Sequence, residues 1–270
     1  LFTDADIERI WAVLKGFGSF GFCKAHGAAF ALPTYQSAWL KTHYPAEFLA
    51  GILTHDPGMY PRRLLLAEAR RMGVPILPLD ANLSIDEYRV ERLPGGTLGI
   101  RLSLRDVHGI SDAELDRLLA GQPFAGITDL YERVRPSRAL MQRLELVGAL
   151  DALALPATPG ADERHGLVVP HDAPPTRGDV IAFVRQLTAK RPARSDPESQ
   201  LDFTIDDRSR IPRGNPQFTA ADRARVELGV LDMDASEHLI EAYRPLLDDM
   251  GVTPANQLLA LRSKTEVLVA

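Results

Sequence analysis

Apolar residues recur at helical spacing through most of the chain. Ile7, Ile10, Trp11 and Leu14 mark a first helix, with Thr3 and Asp6 as a variant capping box before it and Gly16 as a stop. A glycine- and aromatic-rich stretch over 16–22 separates it from a second helix over 26–43. Pro33 lies inside that helix and predicts a kink, because proline removes a backbone donor and crowds the preceding turn. Pro45 suits the first position of a third helix reaching residue 53. A fourth runs over 60–72 and ends at Gly73. The period then shortens. Residues 74–79 and 88–91 read as strands, and 98–102 returns as a third after the Pro94-Gly95-Gly96 turn. Helical spacing resumes over 112–120, 127–134 and 138–147. Over 154–215 the patterning lapses into Pro, Asp, Arg and Gly, with one helical patch at 179–187, which predicts a mostly flexible linker. Helices return at 219–228, 237–249 and 254–261, and 265–270 reads as a strand with nothing in the chain to pair with. The expected fold is mainly α with a small β connector.

Composition narrows this picture slightly. Apolar residues make up 45 % of the 270 positions and charged residues 25 %, ordinary proportions for a globular chain of one to three domains. A net charge of −5 argues against binding nucleic acid over the whole surface, so any such contact is local. Cys23 is the single cysteine; no internal disulfide can form, which fits a cytoplasmic setting. No apolar run approaches the roughly 20 residues of a membrane span, and no signal peptide is visible. The start at Leu1 and the unpaired last strand read as ends cut from something longer.

Three segments carry candidate chemistry. Leu104-Arg105-Asp106-Val107-His108-Gly109-Ile110-Ser111, with Leu115, Leu118 and Leu119 beyond it, has the helix-hairpin-helix pattern of an apolar helix end, a tight turn and an amphipathic second helix. Gly109 lets a phosphate approach the backbone, and amides near Gly109 and Ser111 open the second helix toward an anion. One phosphate held this way confers affinity without sequence preference. An ordinary αα-hairpin with a glycine turn has the same spacing. In the second segment, Phe20-Gly21-Phe22-Cys23-Lys24-Ala25-His26, a turn presents a ring, an ammonium and an imidazole before a helix. Phe20 can stack on a base and Lys24 can meet a phosphate; equally, the two phenylalanines can be core. In the third, Gln200-Leu201-Asp202-Phe203-Thr204-Ile205 is a short polar-apolar stretch inside the linker, a form suited to peptide docking or simply a stray extended segment. The seven histidines form no H-E-x-x-H pair, and no D-x-D pair ends a hydrophobic strand, so no metal site is predicted.

The segment Phe20 to Phe30, followed by Tyr35-Gln36-Ser37-Ala38-Trp39-Leu40-Lys41 and His43-Tyr44-Pro45-Ala46-Glu47-Phe48, resembles the fingers domain of bacterial C-family DNA polymerases, the family of the DNA polymerase III alpha subunit and its error-prone paralogue. The later Leu77-Pro78-Leu79-Asp80-Ala81-Asn82, the hairpin at 107–111 and Arg143 through Leu146-Val147-Gly148-Ala149-Leu150-Asp151 extend the likeness, and 266–270 resembles the first strand of the family's OB domain. The resemblance implies fingers over 1–95, a helix-hairpin-helix module over 96–153, a linker over 154–218 and a helical approach to an OB-type domain over 219–270. It also implies incoming-nucleotide contacts by Phe20, Lys24 and His26, with Ala25 in place of the usual Ser. Duplex contacts would fall to Val107, His108, Gly109, Ile110 and Ser111, and a clamp-binding peptide to Gln200, Leu201, Phe203 and Ile205. The implied partners are primer-template DNA, deoxynucleoside triphosphates, a sliding clamp and other replisome subunits. The Mg²⁺-binding carboxylates of the family belong to a palm domain upstream. The alternative is a non-catalytic DNA-binding or clamp-adaptor module.

Overall fold

A computed structural model of the chain describes residues 3–18, 24–56, 58–154, 174–189 and 207–269. Helix α1 (Asp4–Gly18) starts as its sequence dictates: the Thr3 hydroxyl donates to Asp6 Oδ2 at 2.6 Å, and the Asp6 N–H donates back to Thr3 Oγ1 at 3.3 Å. Helix α2 (Lys24–His43) continues through Pro33. Both helices leave large side chains in solvent, among them Ile7, Trp11, Phe30, Leu32 and Tyr35. Lys41 at the end of α2 is tied to Glu68 at 2.7 Å. The core begins at α3 (Pro45–His55), which buries Ala46, Leu49, Ala50 and Leu53, and α4 (Arg62–Arg71), which buries Leu66 and Ala69.

A three-stranded sheet follows in the order β1-β3-β2. The predicted strand over 74–79 shrinks to β1 (Ile76–Leu77), which lies parallel to β3 (Leu98–Arg101); β2 (Arg89–Arg92) lies antiparallel on the other side. Gly99 permits the tight parallel pairing, since a Cβ there would sit 3.1 Å from the Pro75 carbonyl. Arg101 closes the antiparallel edge with a bidentate contact to Glu91 at 2.7 and 2.8 Å.

From β3 the chain enters a compact helical module: a 3-10 turn at Leu104–Asp106, α5 (Asp112–Gly121), α6 (Ile127–Val134), α7 (Arg138–Leu146) and the short α8 (Asp151–Ala154). Leu102, Leu104, Leu115, Leu118, Ile127, Leu130, Leu140, Met141 and Leu144 are fully enclosed at its centre. Each such side chain contributes about 1.5–3 kcal/mol by leaving water.

Two pieces of the predicted linker depart from that reading. Helix α9 (Arg177–Ala189) packs on α7 and α8 and buries Val180, Phe183 and Val184. The segment opening with α10 (Asp207–Arg210) buries Ile211 and leads into α11 (Ala220–Leu231). The two pieces clasp each other, with Asp179 Oδ1 accepting from the Asn215 backbone N–H at 2.9 Å and its side-chain amide at 3.0 Å. Low apolar content hid this packing, because these few buried residues are spread thinly through polar sequence. After α11 come 3-10 turns at Leu239–Tyr243 and Ala255–Ala260, with α12 (Arg244–Asp249) between them. The strand predicted at the C-terminus is absent over 265–269, where the Leu268 carbonyl accepts from the Thr253 N–H at 2.8 Å.

Candidate nucleic-acid interface

The hairpin over Val107 to Ser111 is built as its residue types require. Val107 is buried and fixes the turn to the core. Gly109 adopts φ +73°, a conformation that side chains resist. Ser111, with an extended backbone, caps α5: its hydroxyl accepts from the Glu114 N–H at 3.3 Å and donates to Glu114 Oε2 at 2.8 Å. His108, Gly109 and Ser111 are exposed and Ile110 is half-buried, so four of the five predicted contact residues reach the surface.

The backbone donors of this turn are unequally committed. The His108 N–H donates to the Val230 carbonyl at the end of α11 at 2.8 Å, and the Ile110 N–H to Val107 at 3.1 Å. The Ser111 N–H faces Glu114 Oε2 at 3.4 Å, so the helix start already holds a carboxylate of its own. A second hairpin, α6 to α7, turns through Arg135 with φ +48° and starts α7 at the Ser137 cap. Glu114 spans both hairpins, because its Oε1 accepts from the Ser137 N–H at 2.9 Å. Burial opposes ionisation of Glu114, but the hydrogen bonds from Ser137 and Ser111 outweigh it and hold the carboxyl down at about 2.

Cations surround the turn. Arg62 reaches Asp106 at 2.7 Å, and Arg105 reaches Asp112 at 3.1 Å. Burial pushes the Asp106 carboxyl up despite Arg62 beside it. Between the turn and the end of α11 lies a hollow of about 520 Å³, lined by Arg62, Arg105, His108 and Gly109 among others. Arg143 of α7 stands against Gly109, a neighbour that the hairpin pattern did not reveal.

The remaining predicted site residues divide. His26 is exposed in the first turn of α2, its ring centroid 4.5 Å from that of Phe30 in an edge-on arrangement. Lys24 is the first residue of α2. Phe20, and Gln200, Leu201, Phe203 and Ile205, lie outside the described residues.

The match to known proteins agrees with this geometry. Residues 73–157 fit the family model described as a helix-hairpin-helix motif. Over nearly its whole length the chain is similar to proteins named error-prone DNA polymerase: 30 % identical over 97 % of the chain to the one from Nocardia farcinica, and 34 % over 93 % to the one from Burkholderia pseudomallei. Another, from Dechloromonas aromatica, is 42 % identical over 54 % of the chain and is covered over 14 % of its own length. Nearly the whole chain thus aligns with a stretch of bacterial error-prone DNA polymerases, as the C-family resemblance of its motifs leads one to expect. It spans about a fifth of the first two relatives, 21 % and 22 % of their lengths. Within the family region the match covers the sequence on both sides of the hairpin as well as the hairpin itself. No helix among the described residues is long and apolar enough to cross a membrane.

Proposed function

We propose that this chain serves template-directed DNA synthesis as the part of an error-prone polymerase that holds duplex DNA and touches the incoming nucleotide. The observation that carries this reading is the coincidence of the helix-hairpin-helix match with a folded module whose turn at Gly109 is exposed. A turn of this kind contacts the sugar-phosphate backbone and not the base edges, so it supports polymerisation on any template. The similarity to error-prone polymerases extends through the residues around Lys24 and His26, which favours a polymerase over a stand-alone adaptor.

In the parent reaction a primer 3′-hydroxyl attacks a nucleoside triphosphate, and Mg²⁺ neutralises the developing charge. Among the described residues no group of three or more His, Cys, Asp or Glu side chains is placed to hold a metal ion. We assign the Mg²⁺ to the family's palm, as the resemblance implies, and give this chain the work of positioning. Fluorescence anisotropy with labelled primed duplexes of unrelated sequence tests the reading. Weak binding, indifferent to sequence and falling as salt rises, is the expected result. Absence of binding at low salt overturns it. In a primer-extension assay with Mg²⁺ and four nucleotides, the chain alone is expected to give no product.

A further inference from the structure

The two hairpins meet where Gly109 faces α7. A Cβ at Gly109 would stand 2.6 Å from Arg143 Nη1 and 3.3 Å from its Cζ, so the guanidinium occupies the space that the missing side chain leaves. Arg143 is half-buried, and among the described residues its guanidinium has no hydrogen-bond or ion-pair partner. Arg135, Arg138 and Arg185 also lack such a partner among the described residues but are exposed, and several other arginines of this body are committed. Arg70 donates to the Asp234 and Ala235 carbonyls, Arg101 to Glu91 and Pro78, and Arg177 to Asp151. Arg105 faces Asp112, and Arg117 donates to the Val134 carbonyl at 2.9 Å. A guanidinium carries five N–H donors in a planar fork that matches a phosphate, and a structural arginine spends them on carbonyls or carboxylates. Arg143 spends none.

The same asymmetry holds for the backbone. The His108, Ile110 and Ser111 N–H groups each have an acceptor within the chain, whereas the Gly109 N–H has none among the described residues. An uncommitted amide at a residue without a side chain thus lies beside an uncommitted guanidinium, at the exposed tip of a hairpin.

We propose that Arg143 completes a composite phosphate site, in which its guanidinium from the second hairpin and the Gly109 N–H from the first hold one backbone phosphate of duplex DNA. The proposal rests on the duplex-holding reading above and places the working contact at Gly109 and Arg143. Ser111 then serves as the helix cap, since Glu114 already fills that position. The site takes one phosphate and reads no base.

Anisotropy titrations of the 270-residue chain against a labelled duplex, repeated over a salt series, test this with R143Q, R143K and R105Q. R143Q is expected to bind about tenfold more weakly at low salt, and its slope of log affinity against log salt is expected to be shallower by about 1, the signature of one lost phosphate contact. R143K should keep the slope while losing part of the affinity, because an ammonium retains the charge but not the fork. R105Q, which removes a cation already facing Asp112, should change both quantities less than R143Q does. Wild-type affinity and slope in R143Q would overturn the composite site and leave the duplex-holding reading intact. No binding by the wild-type chain would overturn both. If circular dichroism shows that R143Q and R143K both fail to fold, Arg143 is a structural residue and the proposal is wrong.

Discussion

Glu114 and Ser137 join two helices through one carboxylate. Glu114 Oε1 takes the Ser137 N–H at the start of α7, and Oε2 takes the Ser111 hydroxyl at the start of α5. Glu114→Ala should therefore uncap both helices, at a cost of about 1–3 kcal/mol. Its carboxyl sits lower in the folded chain than in the unfolded one, so its contribution is complete above the unfolded value of 4.5 and fades as pH falls toward about 2. Urea midpoints between pH 2 and 6 should fall more steeply toward acid in the wild type than in Glu114→Ala. Parallel curves would show that the carboxylate does no such bridging.

Glu145 predicts the opposite pH dependence. It is 2 % exposed in α7, and its Oε2 is buried without a hydrogen-bond partner. Burial pushes its carboxyl up to about 8, with the Arg185 charge opposing. A raised acid binds its proton more tightly when folded, so stability declines as pH rises from about 4.5 to about 8. Glu145→Gln should flatten that decline and raise Tm at pH 8. Calorimetry at pH 5 and pH 8 on both proteins decides it; an equal Tm difference at the two values would refute the assignment.

Asp207 pins the segment after 206 to α6. Its carboxylate accepts from the Thr128 N–H at 2.6 Å and, at shorter range, from the Thr128 hydroxyl. Gly126, the N-cap of α6, supplies no side-chain cap, and a Cβ there would collide with Asp207 Oδ2 at 2.7 Å. Asp207→Ala should remove about 1–2 kcal/mol, the worth of a good cap. Hydrogen exchange should rise at 207–211 and at the start of α6 together. A rise at only one of the two would separate elements that we hold to be joined.

The fingers-like segment is tested in the full-length polymerase that the proposed function implies. Lys24→Ala and His26→Ala should raise the KM for nucleotide more than they weaken DNA binding. The loss of one charge-assisted contact is worth about 1.5–3 kcal/mol, or roughly ten- to a hundredfold in kcat/KM. Phe20→Ala should instead disturb base fit. Unchanged nucleotide kinetics together with collapsed DNA binding would turn this face toward the duplex.

The linker peptide is tested by calorimetry against the cognate sliding clamp. Gln200→Ala combined with Phe203→Ala should abolish the heat seen with the wild-type chain, with Leu201 and Ile205 as the other apolar anchors. Identical heats for the two proteins would refute the clamp contact that the resemblance implies.

Local features were legible in the sequence, and long-range ones were not. Thr3 with Asp6, Gly73 as a helix stop and Gly109 in a tight turn announce themselves within a few residues, because capping and positive φ are short-range demands. The hairpin's position was readable for the same reason. Arg143 beside Gly109, Glu114 under Ser137 and Asp207 on Thr128 join positions 34, 23 and 79 residues apart, and no periodicity encodes such pairings. Helix α9 shows a related limit. Its apolar face was readable as a helical patch, but the polar stretches around it masked that the face is buried against α7.

Arg70 donates to the carbonyls of Asp234 and Ala235, 164 and 165 residues further on, and the Tyr88 hydroxyl meets Met233 across 145. On the ribosome, α4 and the sheet emerge long before the partners that satisfy them. At about 5–20 residues per second, that interval lasts on the order of ten seconds. Until Ala235 has cleared the exit tunnel, the Arg70 guanidinium and the Tyr88 side chain stay solvated or borrow other contacts. The turn at His108 meanwhile waits for Val230. A stall or truncation before residue 235 would thus leave a nascent chain whose hairpin is written but not yet held in place.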